Sequence, residues 1–338
     1  MDALRVGVIG YGYWGPNIVR NFAELSSSHV VAISDCKVEQ LKRAQSKYPQ
    51  VVLAKDYHEL FKFDLDAVVV ATPPATHHDI AKDCLEQGMH VLVEKPLTLN
   101  SQDAEDLIKI ASKKGLTLMV GHTFEYNTAV HALKDYIVSG ELGEIYYLDT
   151  ARLNLGLFQR DSNVLWDLAP HDISILLYLF GEPPISVSTQ GMSCVFEEIP
   201  DVAYLHLVFN NRKHAYIHVS WLDPCKVRRV TIVGSKKMVV YNDIENEQKI
   251  KIYDKGVQAP AYSGSFADFQ CSYRYGDITI PRIRYSEPLK EECLEFISCI
   301  ENHREPCSCG MDGLRVVKIL EAAQRSMNNG STQEVIQW

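Results

Sequence analysis

The residues with most chemical content begin near the N-terminus. Gly10-Tyr11-Gly12-Tyr13-Trp14-Gly15 closes an apolar run, Val6 to Ile9, with glycines spaced G-x-G-x-x-G, and a helical stretch, Asn17 to Leu25, follows. In such a turn Gly10 permits the tight bend, Gly12 lets backbone approach a pyrophosphate, and Gly15 lets helix pack on strand. The helix N-terminus adds amides and a positive dipole. Asp35 ends the second apolar run, twenty residues after Gly15, where a carboxylate accepts hydrogen bonds from ribose hydroxyls. Glycines alone also mark structural turns, but in strand-to-helix context and with this carboxylate they indicate a dinucleotide. A carboxylate there repels a 2′-phosphate, which favours NAD over NADP. Lys37, two residues on, either softens that preference or is a solvated lysine at a helix start.

Two further groups stand where the reacting end of such a cofactor belongs. The fourth apolar run leads into Thr72-Pro73-Pro74-Ala75-Thr76-His77 and the fifth into Glu94-Lys95-Pro96. Both lie at the carboxyl edge of their strands, where ligands bind in open α/β sheets, so these loops are expected beside the nicotinamide half. By position alone Lys95 is either a reactive amine or an ordinary loop lysine. In Trp166-Asp167-Leu168-Ala169-Pro170-His171-Asp172, Asp167 and His171 are four residues apart, which at a helix start puts both on one face. Pro170 is tolerated in a first turn. The plainer readings are an N-cap for Asp167 and a capping or packed histidine for His171.

Positioning these groups requires two kinds of sheet. From Arg5 to about Val120, Val/Ile/Leu-rich runs at Val6 to Ile9, Val30 to Ser34, Val51 to Leu53, Ala67 to Ala71, Val91 to Val93 and Leu116 to Val120 alternate with helical patterns. This is the pattern of βαβ units and a parallel sheet buried on both faces. Helical segments Asp79 to Gln87 and Ser101 to Lys114 stop at Gly88 and Gly115. After about Tyr126 the period becomes two, in Ile145 to Arg152, Ser186 to Gly191, Ala203 to Phe209, Ala215 to Trp221, Arg229 to Val233, Met238 to Tyr241 and Lys249 to Tyr253. The expected fold is an α/β Rossmann domain over residues 1–122, followed by an α+β domain over 123–338 with a large, mainly antiparallel, open-faced sheet. Helices near Pro288 to Asn302 and Asp312 to Met327 are expected to pack back on one of these domains, and 338 residues suit two cores.

Composition narrows the partners. Apolar residues at 46% and charged residues at 23% are those of a globular chain, and a net charge of −9 opposes nucleic acid and anionic membranes, leaving a small-molecule substrate. No apolar run approaches the roughly 18 residues that span a bilayer, and Met1-Asp2-Ala3-Leu4 enters a strand without a leader pattern, so a cytoplasmic protein is expected. Nine scattered cysteines suit reduced thiols. Cys307 and Cys309 form the one close pair, with only His303 nearby as a further ligand, so a surface loop pair is expected and no metal.

The chain resembles the glucose-fructose oxidoreductase, inositol dehydrogenase and rhizopine catabolism family, Gfo/Idh/MocA. The likeness runs through the glycine loop, Ala71-Thr72-Pro73-Pro74 with His77, Glu94-Lys95-Pro96, Val120-Gly121-His122 and the later Asp167-x-x-x-His171. It implies that Lys95 lies beside nicotinamide and substrate and that Asp167 and His171 complete the site. The cofactor contacts it implies fall on Gly10 to Gly15, Asp35, Thr72, Pro73, His77, Glu94, Lys95 and His122. A hydroxyl gives up hydride only as its proton leaves, so a base must be within hydrogen-bond reach. His171 suits that role, with an unperturbed pKa of about 6.5. Asp167 orients the imidazole or binds another hydroxyl, and Lys95 holds and polarises the reacting oxygen. Family members differ over whether lysine or histidine carries the proton.

Most members read Asp-x-Gly-x-His, whereas this chain has Asp167-Leu168-Ala169-Pro170-His171-Asp172. That variant resembles members that oxidise the 3-hydroxyl of nucleotide-linked N-acetylamino sugars to a ketone for later transamination. On that likeness Tyr126, Asn127, Arg160 and Asn163 are candidates for contacting sugar or pyrophosphate, with Arg152 and Asn154 weaker ones. Arg160 offers a fork matched to phosphate, or a surface salt bridge. The alternatives are a dehydrogenase or ketoreductase of a free sugar or cyclitol such as inositol, an NAD-dependent glycosidase and a noncatalytic NAD-binding regulator. The open sheet face is expected to pair copies of the chain into a homodimer or homotetramer.

Overall fold

A computed structural model describes residues 3–258 and 271–338, so the first two residues of the expected Rossmann domain lie outside the described residues. The chain divides into two compact units, Met1–Asn127 with Ser286–Lys318, and Thr128–Tyr285 with Ile319–Trp338.

The first unit holds β1 (Leu4–Ile9), α1 (Gly15–Glu24), β2 (Ser28–Ser34), α2 (Val38–Lys47), β3 (Val52–Ala54), β4 (Ala67–Val70), α3 (His77–Glu86), β5 (His90–Glu94), α4 (Ser101–Lys114) and β6 (Leu118–Gly121). All neighbouring strands run parallel in the order β3-β2-β1-β4-β5-β6. Side chains alternate across such strands, so β4 sends Ala67 and Val69 into one core and Val68 and Val70 into the other. On one face Phe22 of α1 meets Phe296 edge to face at 6.5 Å. Phe296 belongs to a helix predicted from the sequence, Pro288–Asn302, which falls in this unit.

The second unit is built on a nine-stranded sheet. In chain order come α5 (Thr128–Val138), β7 (Ile145–Leu153), α6 (Val164–Phe180), β8 (Ser186–Met192), β9 (Val202–Val208), β10 (His214–Ser220), β11 (Val227–Gly234), β12 (Met238–Asn242), β13 (Ile250–Gln258) and β14 (Ser272–Thr279). Then follow α7, the Pro288–Asn302 helix of the first unit, α8 (Gly310–Asn328), whose residues up to Lys318 also belong to the first unit, and β15 (Glu334–Val335). The order is β14-β13-β12-β11-β7-β10-β9-β8-β15, and every pair is antiparallel except β7 with β10. The sheet is therefore mixed but mostly antiparallel. α6 packs on β7, β9 and β10, covering one face. The opposite face is open and aromatic: Tyr204 stacks on His218 at 4.0 Å and His206 on Tyr216 at 4.7 Å.

Two strands and one helix differ from the sequence expectation. β14 is exposed along almost its whole length, so no buried face wrote a period into it, and β15 has only two residues. α5 lies where strand-rich sequence is expected to begin.

Candidate active site

The carboxyl edge of the first sheet collects the predicted cofactor residues. Gly10 has φ +97°, and a Cβ there would strike the Ala71 carbonyl, so only glycine fits this turn. A Cβ at Gly12 would meet nothing within 4 Å, which leaves the space a pyrophosphate needs. Tyr11 is buried in the core while Tyr13 and Trp14 are exposed beside it, their rings edge to face at 5.5 Å. Asp35 is half-buried and already engaged: Tyr11 N donates to Oδ2 at 2.7 Å and Lys37 N to Oδ1 at 2.8 Å. Each carboxylate oxygen retains a further lone pair for a ribose hydroxyl. The open Gly12 and the tethered acceptor fit a dinucleotide. Lys37 is exposed and precedes α2 as its N-cap residue.

His77 clamps the two loops that follow β4 and β5. Its Nδ1 lies 2.8 Å from Pro96 O and its Nε2 2.9 Å from Thr72 O, and the ring is fully buried. Two carbonyl partners favour a doubly protonated ring, but burial pushes its pKa down, so the neutral ring donates one bond at a time. Thr76 Oγ1 bonds to Thr72 Oγ1 at 2.8 Å and donates to Pro73 O. Lys95 is half-buried on the turn so clamped. Glu94 beneath it is buried, and burial lifts its carboxyl to about 7 against the pull of Lys95. His122 is fully buried, and burial, with Lys95 second, lowers its pKa to about 3.

Tyr126 and Asn127 are buried in this unit. The Tyr126 hydroxyl pairs with Ser308 Oγ at 2.8 Å, and Ser308 also donates to Val120 O. Cys307 is exposed with its sulfur 3.9 Å from Glu125, whereas Cys309 is buried with its sulfur 3.1 Å from Asp312 Oδ2, so only the first is a surface thiol. Among the described residues no group of three or more His, Cys, Asp or Glu is arranged to hold a metal.

In the second unit α6 carries Asp167 and His171. Asn163 is the N-cap, its Oδ1 accepting from Trp166 N at 3.2 Å, and its amide donates to Gln324. That start lies four residues before Asp167, so Asp167 is not the cap and Pro170 sits inside the helix rather than in its first turn. Pro170 removes a helical donor there, and Asp167 and His171 still share one face. Trp221, just after β10, donates from Nε1 to Asp167 Oδ2 at 2.8 Å and is itself 1% exposed. Next to His171, Asp172 accepts from Arg152 Nε at 2.6 Å in a buried ion pair, so Arg152 spends its charge inside the unit. Arg160 is exposed, on the loop before α6.

Trp221 and the partner of Asp172 were not found from sequence, because each pair is joined by the fold across 54 and 20 residues. A tryptophan ending an alternating strand reads simply as core.

Two family models match the chain. One, described as oxidoreductase family, NAD-binding Rossmann fold, covers residues 4–122, and the other, the GFO/IDH/MocA C-terminal domain, covers 130–240. The UDP-N-acetylglucosamine 3-dehydrogenase of Acidithiobacillus ferrooxidans is 26% identical over 324 residues, which are 94% of this chain and 95% of that protein. Its solved structure aligns with TM-score 0.79 at 25% identity, covering 98% of this chain and 100% of that one. The myo-inositol 2-dehydrogenase of Thermotoga maritima is 25% identical over 344 residues, 96% of each.

Proposed function

The chain belongs to the Gfo/Idh/MocA oxidoreductases, NAD(P)-binding enzymes acting on CH–OH groups, and we propose that it oxidises the 3-hydroxyl of a UDP-linked N-acetylhexosamine to a ketone with NAD. The observation that carries this reading is the likeness to UDP-N-acetylglucosamine 3-dehydrogenase along 94% of the chain, together with the Asp167-Leu168-Ala169-Pro170-His171 variant. NAD supplies the hydride acceptor. Asp35 favours it over NADP, since a carboxylate held by two amides repels a 2′-phosphate. Gly10 to Gly15, Thr72, Pro73, His77, Glu94 and His122 are the proposed surroundings of the cofactor.

For the substrate, Lys95 holds and polarises the reacting oxygen, His171 takes the proton, and Asp167, fixed by Trp221, orients the imidazole or binds a neighbouring hydroxyl. Arg160, free of any cap or core role, suits a phosphate. Tyr126 and Asn163, tied to Ser308 and Gln324, shape their segments. A cytoplasmic setting suits nine free cysteines. The open aromatic face of the second sheet supports a homodimer or homotetramer, which light scattering tests; a monomer refutes it.

The experiment is to supply UDP-N-acetylglucosamine, its galacto and uronate analogues, and free inositol with NAD⁺ and to follow NADH. Turnover of a UDP sugar and its loss in Lys95→Ala are expected. NADH from inositol alone favours the cyclitol reading, for which the inositol dehydrogenase likeness speaks. A cleaved glycoside without NADH refutes the dehydrogenase, and a fully active Lys95→Ala refutes the role given to Lys95.

A further inference from the structure

Around the Lys95 turn the first unit buries three carboxyls, Glu94 at 9%, Glu125 at 4% and Glu292 at 1% exposure, of which Glu94 and Glu292 form the pair considered below. Glu94 is fixed from two sides: Lys95 N donates to its Oε2 at 3.3 Å, and a Cβ on Gly121 would lie 3.2 Å from that oxygen. Glu292 comes from α7, between the core residues Leu289 and Phe296, and accepts a hydrogen bond from the Thr123 hydroxyl. Its Oε2 has no donor among the described residues, and neither ring nitrogen of fully buried His122 has a partner among them. Unpartnered buried oxygen is costly when ionised and much less so when protonated.

The titratable groups facing the pair come from every side. Lys95 stands above Glu94, Glu125 faces Glu292 from the turn after β6, and Cys293 lies on the same helix. Behind Glu125 stand Asp312 and Cys307. Among these, Lys95 is the cation at neutral pH, since burial keeps His122 neutral. One ammonium balances one carboxylate. Burial, and then the charge on Glu94, drives Glu292 well above the usual carboxylate range, while Lys95 restrains the rise at Glu94.

We propose that on the alkaline side of neutrality Glu94 and Glu292 hold one proton between them, Glu292 protonated and Glu94 the counter-charge that keeps Lys95 an ammonium. Glu94 is thus a positioning residue for Lys95, and Glu292 keeps the pocket from carrying a second negative charge. The consequence for catalysis rests on the proposed role of Lys95; the pair itself does not.

The test is a 13Cδ-glutamate NMR titration of the whole protein. One signal is expected to titrate near neutrality and to vanish in Glu94→Gln. A second, identified by its loss in Glu292→Gln, is expected to stay protonated well above the range where exposed glutamates ionise and to fall by about one unit or more in Glu94→Gln. If both titrate with exposed glutamates at about 4.3, or Glu94→Gln leaves the second midpoint in place, the pair does not exist. Should Glu94→Gln not fold, Lys95→Met keeps both carboxyls and is expected to raise the Glu94 midpoint by about one unit; an unmoved midpoint overturns the counter-charge. In turnover, Glu94→Gln is expected to move the alkaline limb of the kcat/KM profile about one unit lower, and an unmoved limb overturns the link to Lys95. If no sugar is turned over, the activity reading fails while the titration still decides the pair.

Discussion

Replacing Trp221 by phenylalanine isolates a single contact. The indole N–H lies 2.8 Å from Asp167 Oδ2, and the ring is 1% exposed, so no water takes over the lost bond from its side. Phenylalanine keeps most of the aromatic bulk and removes the donor. A hydrogen bond to a charged group contributes about 1.5–3 kcal/mol, and each roughly 1.4 kcal/mol is tenfold in rate. If Asp167 works as an oriented carboxylate, kcat/KM falls about 10- to 100-fold, measured by NADH formation with the best UDP sugar. The control is Phe158→Leu: the Phe158 ring centroid lies 5.7 Å from that of Trp221, and a phenylalanine side chain has no N–H or O–H to donate to Asp167. That variant is expected to lose stability with kcat/KM within about threefold of wild type. Trp221→Phe with unchanged kcat/KM, or Phe158→Leu with an equal loss, refutes the orienting role.

Three further outcomes are expected. Asp35→Ala releases the Tyr11 and Lys37 amides together with the ribose acceptor, so NAD binding by calorimetry weakens about tenfold or more and the preference over NADP narrows; an unchanged preference contradicts the ribose role. Asp172→Leu takes the Asp172 carboxylate from buried Arg152 and is expected to cost about 3–5 kcal/mol in urea unfolding, most of it recovered in Arg152→Met/Asp172→Leu; a double variant as weak as the single one sinks this account. For His122 the folded pKa lies near 3 and the unfolded value is 6.5, so the unfolded chain binds the extra proton and stability is lost as pH falls below 6.5. That loss is about 2 kcal/mol at pH 5, and His122→Phe should flatten it relative to wild type in pH-dependent melting; parallel curves refute it.

Much of this is legible in the sequence. Parallel strands such as Ala67–Val70 are apolar on both faces and helices such as Ser101–Lys114 carry their own stop, so the first unit announced itself locally. The glycine turn and Asp35 were legible because phosphate and ribose demand fixed backbone geometry. What stayed hidden depends on distant pairs. Nothing near Trp221 marks it as a partner of Asp167, and Glu292 sits in an ordinary amphipathic helix whose apolar inward face includes one carboxyl. The start of α6 was misplaced because Asn163 outcompeted Asp167 as a cap, and an exposed strand such as Ser272–Thr279 leaves no apolar period to read.

The two amides on Asp35 have a consequence for binding thermodynamics. An unrestrained aspartate loses rotamer freedom when it grips a ligand, a cost of about 0.5–1.5 kcal/mol for an immobilised side chain. Here the Tyr11 and Lys37 amides have frozen the carboxylate during folding, so the acceptor is preorganised before a ribose arrives. Asparagine at this position has only one acceptor oxygen, so it cannot satisfy both amides through the same two-oxygen arrangement. The residue that reads the cofactor is therefore also part of the loop's own scaffold.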